Sequence, residues 1–191
     1  MRAFFLIGMV LIPGCASGPP PADWQLGSVA AMNAFQQNYL RGDTRTADIE
    51  FSRLKREISA TGRLDLAARA ELLRCAAHAA SLEFDGCPGF EKLRADAGAE
   101  ELAYAEYLSG RSERAPGEDA LSRLVSYGVK LNGNKITPLE ITAAIDLSSA
   151  QGWRRPLLAW LGVQEKRAEA AGDRAALDYI RRRISLALEK N

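Results

Sequence analysis

The sequence predicts an all-α protein: antiparallel helical hairpins in an irregular bundle or short solenoid, with about eight to nine helices. Three observations lead there. Apolar residues recur at three- and four-residue spacing along most of the chain, the period of helices buried on one side. Alanine is abundant, β-branched residues are sparse and aromatics are only 7% of the chain, a balance that favours helix over strand. The breaks between stripes are short and rich in Gly, Pro and Asp, which makes consecutive helices antiparallel neighbours.

The elements follow in order. Val29, Met32, Phe35, Tyr39 and Leu40 form the first stripe. Ala47, Phe51, Leu54 and Ile58 form the second, which Gly62 stops. Leu66, Leu73, Ala76 and Ala80 make a third. Pro88 suits the first turn of a short fourth helix carrying Phe90 and Leu93. Leu102, Ala105 and Leu108 make a fifth, ended by Gly110, before the charged RSERAPGED loop. Leu121, Leu124 and Val125 mark a sixth, and LNGN turns the chain. Thr137-Pro138-Leu139-Glu140 is a capping box that opens a seventh helix with Ala144 and Leu147, ended near Gly152. Pro156 lies in the first turn of an eighth, with Leu157, Trp160, Leu161 and Gln164. Gly172-Asp173 is a tight break with Asp173 as cap, and Ala176, Ile180, Ile184 and Leu188 close the chain.

Within this last stretch, Trp153 to Leu188, the residues Trp160, Leu161 and Gly162, the later Gly172-Asp173 and the alanines after it resemble a tetratricopeptide-type helical hairpin. The period of that repeat does not recur elsewhere, so bundle and solenoid both stay open.

The N-terminus reads MRAFFLIGMVLIPGCASGPPPAD. Arg2, an apolar run from Ala3 to Pro13 and the small Gly14 have the layout of a secretory signal. The run is far short of the roughly 20 apolar residues of a spanning helix. Ile12-Pro13-Gly14-Cys15 resembles the lipobox of bacterial lipoproteins, with Ile12 where Leu is usual. That resemblance implies cleavage before Cys15, lipidation of Cys15 and export; an ordinary signal peptide with a chance cysteine is the plainer alternative. Ala16 rather than Asp follows the cysteine, which in the enteric-type rule implies the outer membrane, facing the periplasm. The expected organisation is a signal peptide over 1–14, a lipidated cysteine and Pro-rich tether over 15–23, and one helical periplasmic domain over 24–191. Eight extended tether residues would reach roughly 25 Å.

The whole chain has 25 basic and 24 acidic residues; Arg2 belongs to the signal, so the remainder is formally neutral. Neutrality argues against nucleic acid, which requires a basic footprint.

Two cysteines remain after Cys15, and they bracket the chain's single histidine in CAAHAASLEFDGC. In the oxidising compartment that the lipobox implies, Cys75 and Cys87 are expected to form a disulfide. Reach sets a condition: the helix carrying Cys75 must end near Ala80, or Cys87 must fold back along it, to meet the ~6 Å between Cα atoms. A metal held by Cys75, His78, Asp85 and Cys87 is the sharper alternative, and a reactive thiol a further one. His78 among alanines reads as a packed helix histidine.

No nucleophile elbow, paired-histidine zinc motif or phosphate loop occurs, and no Glu-Ser pair of the lytic-transglycosylase kind. The acidic pairs Asp48/Glu50, Glu100/Glu101 and Glu118/Asp119 read as solvated surface. Arg181-Arg182-Arg183 reads as surface charge, with anionic headgroups as the functional alternative. Trp24 suits either a membrane interface or a core cap. No catalytic, cofactor or metal residue is assigned. The expected function is a membrane-anchored, non-enzymatic adaptor or assembly factor of a cell-envelope complex, with an envelope protein as partner. A cell-wall enzyme or enzyme activator, and a periplasmic small-ligand binder, are the alternatives.

Overall fold

The computed structural model describes residues 20–115 and 117–189; the signal, Cys15 and tether residues 16–19 lie outside them. Among the described residues there are nine α-helices and no strand. They are α1 Asp23–Arg41, α2 Thr44–Ser59, α3 Leu64–Ala80, α4 Pro88–Glu91, α5 Ala99–Leu108, α6 Ala120–Asn132, α7 Pro138–Ala150, α8 Arg154–Ala171 and α9 Arg174–Leu188, with a 3-10 turn at Arg94–Asp96. No helix among the described residues is long and apolar enough to cross a membrane.

Local chemistry explains the boundaries. The Asp43 carboxylate accepts the Thr46 N–H at 3.1 Å and opens α2. Asp119, expected to be plain surface charge, accepts the Ser122 N–H at 2.9 Å and opens α6. Thr137 and Glu140 form the expected reciprocal box: Glu140 accepts the Thr137 N–H at 2.9 Å, and Thr137 accepts the Glu140 N–H at 3.3 Å. Asp173 caps α9 through the Ala176 N–H at 3.0 Å, one residue after Gly172 turns left-handed at φ +68°. The fourth helix is shorter than its stripe implied. It stops at Glu91, and Leu93 lies between it and the 3-10 turn.

Helix α3 organises the packing. One side of it, through Ala68, Leu72, Cys75, Ala76, Ala79 and Ala80, joins the large core with Phe90, Leu124, Ile141, Ile145, Trp160 and Ile180. Its Ala70 and Ala77 face a second, smaller core with Phe35, Leu40, Phe51 and Leu54 from α1 and α2. Alanines suit a helix packed on several sides, because short side chains let backbones approach. The closest approach is at Gly128 of α6: a Cβ there would collide with the Ala79 carbonyl oxygen, so any larger residue must push α6 away from α3.

Consecutive helices pair as hairpins. Arg181 of α9 reaches back across the Gly172 turn to Glu165 and Glu169 of α8 at 2.8 and 2.7 Å, and the short turn sets the two helices antiparallel. Contacts also join helices far apart in sequence. α3 packs on α6, and α1 packs on α8. Repeats of an open solenoid touch only their neighbours, so this closure is that of an irregular bundle.

Three stripes are corrected by the packing. Val29 is 61% exposed, Leu73 40% and Leu188 59%, although each follows the period of its helix. Periodicity identifies an apolar face; it does not guarantee that another element covers it.

Candidate functional site

Two regions carry the candidate features: a corner built on the disulfide, and an apolar face on the first three helices.

At the corner, α3 ends at Ala80, as reach required, and the chain returns through residues 82–87. Cys75 and Cys87 form the expected disulfide, with Cα atoms 5.7 Å apart. The returning loop bends sharply: Leu82, Gly86 and Cys87 all have positive φ, at +63°, +74° and +54°. Asp85 holds the bend by accepting the Cys87 N–H at 2.9 Å. A cleft of about 360 Å³ lies beside it, with Phe84, Phe90, Glu91, Arg94 and Arg111 among its walls.

The four residues of the metal alternative do not all converge. Cys75 Sγ, Cys87 Sγ and an Asp85 oxygen lie within 4.8 Å of one another, without His78. In this form both sulfurs belong to the disulfide, whereas the zinc-binding species is a thiolate. His78 instead packs on Tyr39, ring centres 4.8 Å apart, with Nδ1 3.6 Å from Asp85. It is the packed helix histidine the alanine surroundings suggested.

An arginine that the sequence did not single out joins this corner to α1. Arg155 of α8 donates to the Tyr39 carbonyl at 2.8 Å, to Glu83 at 3.1 Å and to Thr44 Oγ1 at 2.5 Å. Its guanidinium lies 4.2 Å from the centre of the Tyr39 ring, within cation–π range. Burial, reinforced by the neighbouring Glu83 carboxylate, pushes the Tyr39 hydroxyl well above the usual phenol range.

Burial also lowers the His78 pKa below its ordinary 6.5; Arg74 adds to this, and Asp85 and Glu83 oppose it. The folded protein therefore binds this proton less readily than the unfolded chain, and stability falls as pH drops below about 6.5. This is the chain's single histidine, and carboxylates titrate lower, so the window from about pH 6.5 to 5 belongs to it. The thermal midpoint of the native protein should fall across that window, and that of His78→Gln should stay flat. An equal slope in both proteins would show that another group is responsible.

The cleft's carboxylates are engaged rather than free. Glu91 pairs with Arg94 at 2.7 Å and Glu83 with Arg155 at 3.1 Å, and Asp85 accepts the Cys87 N–H. Two buried acids stand out, and the first departs from the surface reading. Glu101 is buried and takes Arg69 at 2.6 Å. Glu71, which no motif marked, is buried and takes both Arg74 at 3.0 Å and Lys55 at 3.5 Å. In the arginine run, Arg181 is spent on α8, so the three residues do not form one cationic patch.

The second region is apolar. Trp24, Val29 and Met32 of α1, Leu54 and Ile58 of α2, and Leu66, Ala70 and Leu73 of α3 wall an open groove of about 330 Å³. Beyond Ile58 and Ala70, which line both, a second groove of about 460 Å³ runs between α2, the start of α3 and α4. Three exposed large apolar residues lie in these grooves: Val29 and Leu73 in the first, and Leu64 in the second. The signal for it was present in the sequence, since Leu64, Leu66, Leu72 and Leu73 spread around α3 beyond one stripe.

In comparisons with known proteins, no family model, curated protein or solved structure matches the chain.

Proposed function

We propose that the protein is a lipid-anchored periplasmic lipoprotein of the outer membrane that serves as a non-enzymatic adaptor or assembly factor in a cell-envelope complex. The observation that carries this reading is the apolar face on α1–α3. It is open and shallow, the form expected of a surface that takes another protein and not of a pocket that encloses a substrate. It also starts at Trp24, nine residues from Cys15. A tether of that length, at about 3.1 Å per residue, keeps the face within roughly 30 Å of the anchor, where an envelope partner would meet it. The ion pairs of Glu83 and Glu91 in the cleft support the adaptor over wall chemistry, because a carboxylate held in an ion pair is not poised as a general acid.

The test has two arms. Mass spectrometry of the mature N-terminus should show a lipidated Cys15, and Cys15→Ala should move the protein out of the membrane fraction. Cross-linking in its own membranes, followed by purification, should recover one envelope protein in near-equal amount, and substitutions at Val29 and Leu73 should reduce it. Recovery of wall fragments alone would overturn the adaptor.

A further inference from the structure

We infer that the groove between α2, the start of α3 and α4 receives an amphipathic helix whose apolar face is flanked by acidic residues; this rests on the adaptor reading and names the partner's chemistry. Ile58, Leu64, Ala67, Ala70 and Leu93 supply apolar walls, and Leu64 is 50% exposed. The charged residues lining the groove are unbalanced. Lys55, Arg63 and Lys92 are basic, and Glu71 is the single acid.

Existing pairs cancel only part of that charge. Glu71 serves two cations, Arg74 and Lys55, and the Lys55 side chain remains 62% exposed. Asp65 neutralises Arg63, with guanidinium contacts of 3.1 and 2.5 Å. Lys92 has no ion-pair partner among the described residues. An apolar cleft with the unpaired Lys92 and with Lys55 sharing its one carboxylate with Arg74 fits an occupant that is apolar along one face and acidic beside it. A helix laid in a groove presents such a face through residues at i, i+3, i+4 and i+7. Concavity is the argument against a bilayer: a lipid surface engages protruding apolar residues, and this surface is recessed between helices.

The probe is a synthetic 18-residue amphipathic helix with a leucine face and glutamate flanks, compared with a twin carrying lysine flanks. Fluorescence anisotropy on the full protein should show binding of the acidic peptide that weakens with salt. The Lys55→Glu/Lys92→Glu protein, its fold checked by circular dichroism, should bind it about tenfold or more less tightly and gain the lysine-flanked twin. A photo-crosslinking residue at position 64 should capture the acidic peptide, and one at position 139, on exposed Leu139, should not. Equal binding of the twins, indifference to the charge reversal, or equal capture from position 139 would overturn the proposal. So would vesicles of phosphatidylglycerol binding in a Lys55- and Lys92-dependent way while the peptide does not. A native partner that cross-links only through another face leaves the adaptor standing and removes this inference. Groove binding with no native partner recovered removes the adaptor instead.

Discussion

Trp160→Ala should cost roughly 3–5 kcal/mol of stability, the range for deleting a buried large aromatic side chain. Trp160 is fully buried in the large core, where it is the largest such side chain. The substitution leaves a cavity that α3, α7 and α9 cannot all close, because each is also held by other contacts. It also removes a specific bond. Trp160 Nε1–H donates to the Ala80 carbonyl at 3.2 Å. That carbonyl belongs to the last turn of α3, where no later helical N–H remains to satisfy it. Trp160→Phe keeps most of the volume and loses the bond, so it should cost about 1–3 kcal/mol. For a domain of this size, the alanine variant should lower the thermal midpoint by on the order of 10 °C. Denaturant unfolding followed by circular dichroism measures both. A loss below about 1 kcal/mol for Trp160→Ala would mean that the core collapses around the gap, and that α8 is not anchored to α3 as the structure places it.

Removing the disulfide should have the second largest effect. Cys75 and Cys87 close a loop with a sequence separation of 12, and closing a loop of that size stabilises by about 3 kcal/mol. Part of this is offset. Cys87 sits at φ +54°, a conformation that costs a non-glycine residue about 1–2 kcal/mol, and a released loop relaxes it. Cys75→Ala/Cys87→Ala should therefore lose about 1–3 kcal/mol net, and reductant on the native protein should lose a similar amount. Hydrogen exchange should rise over residues 82–93 and change little in α7–α9, because the loop touches the core mainly through Phe90. Two free thiols in unreduced, purified protein would overturn the disulfide and reopen the metal alternative.

Much of the local structure was legible in the chain. The Thr137–Glu140 box, the Asp173 cap and the Gly172 break act between residues at most four apart, so the sequence alone places them. The Cys75–Cys87 link was legible for a related reason, since the compartment implied by the lipobox-like segment and a reach argument over a dozen residues both point to it. The helix stripes were legible as faces, yet Val29 and Leu73 follow those stripes and remain exposed. Periodicity carries no information about which faces find a partner.

The candidate site was less visible because its parts come from distant positions. Arg155 reaches Tyr39 across a sequence separation of 116, and its pattern in the chain is that of any surface arginine. Glu101 reads as a solvated acid and Glu71 carries no mark in the chain, yet α3 and its neighbours bury both and supply Arg69 to the first and Arg74 and Lys55 to the second. The cationic rim of the groove joins Lys55 of α2 to Lys92 beyond α4 because the loop after α3 turns the chain back, held by the disulfide, the Asp85 bond and the burial of Phe90.

The sequence by itself determined the helical class, the ends of most helices, the pairing of the cysteines and the apolar stripes, because these depend on interactions within a few residues or on the period of one helix. Only the tertiary structure decided that the bundle closes through α1 and α8, that Gly128 lies against Ala79, and that the apolar face of α1–α3 stays open beside a basic rim. Those features arise from which faces meet, and that choice is made by packing the whole chain at once, where volume and backbone approach outweigh any local preference.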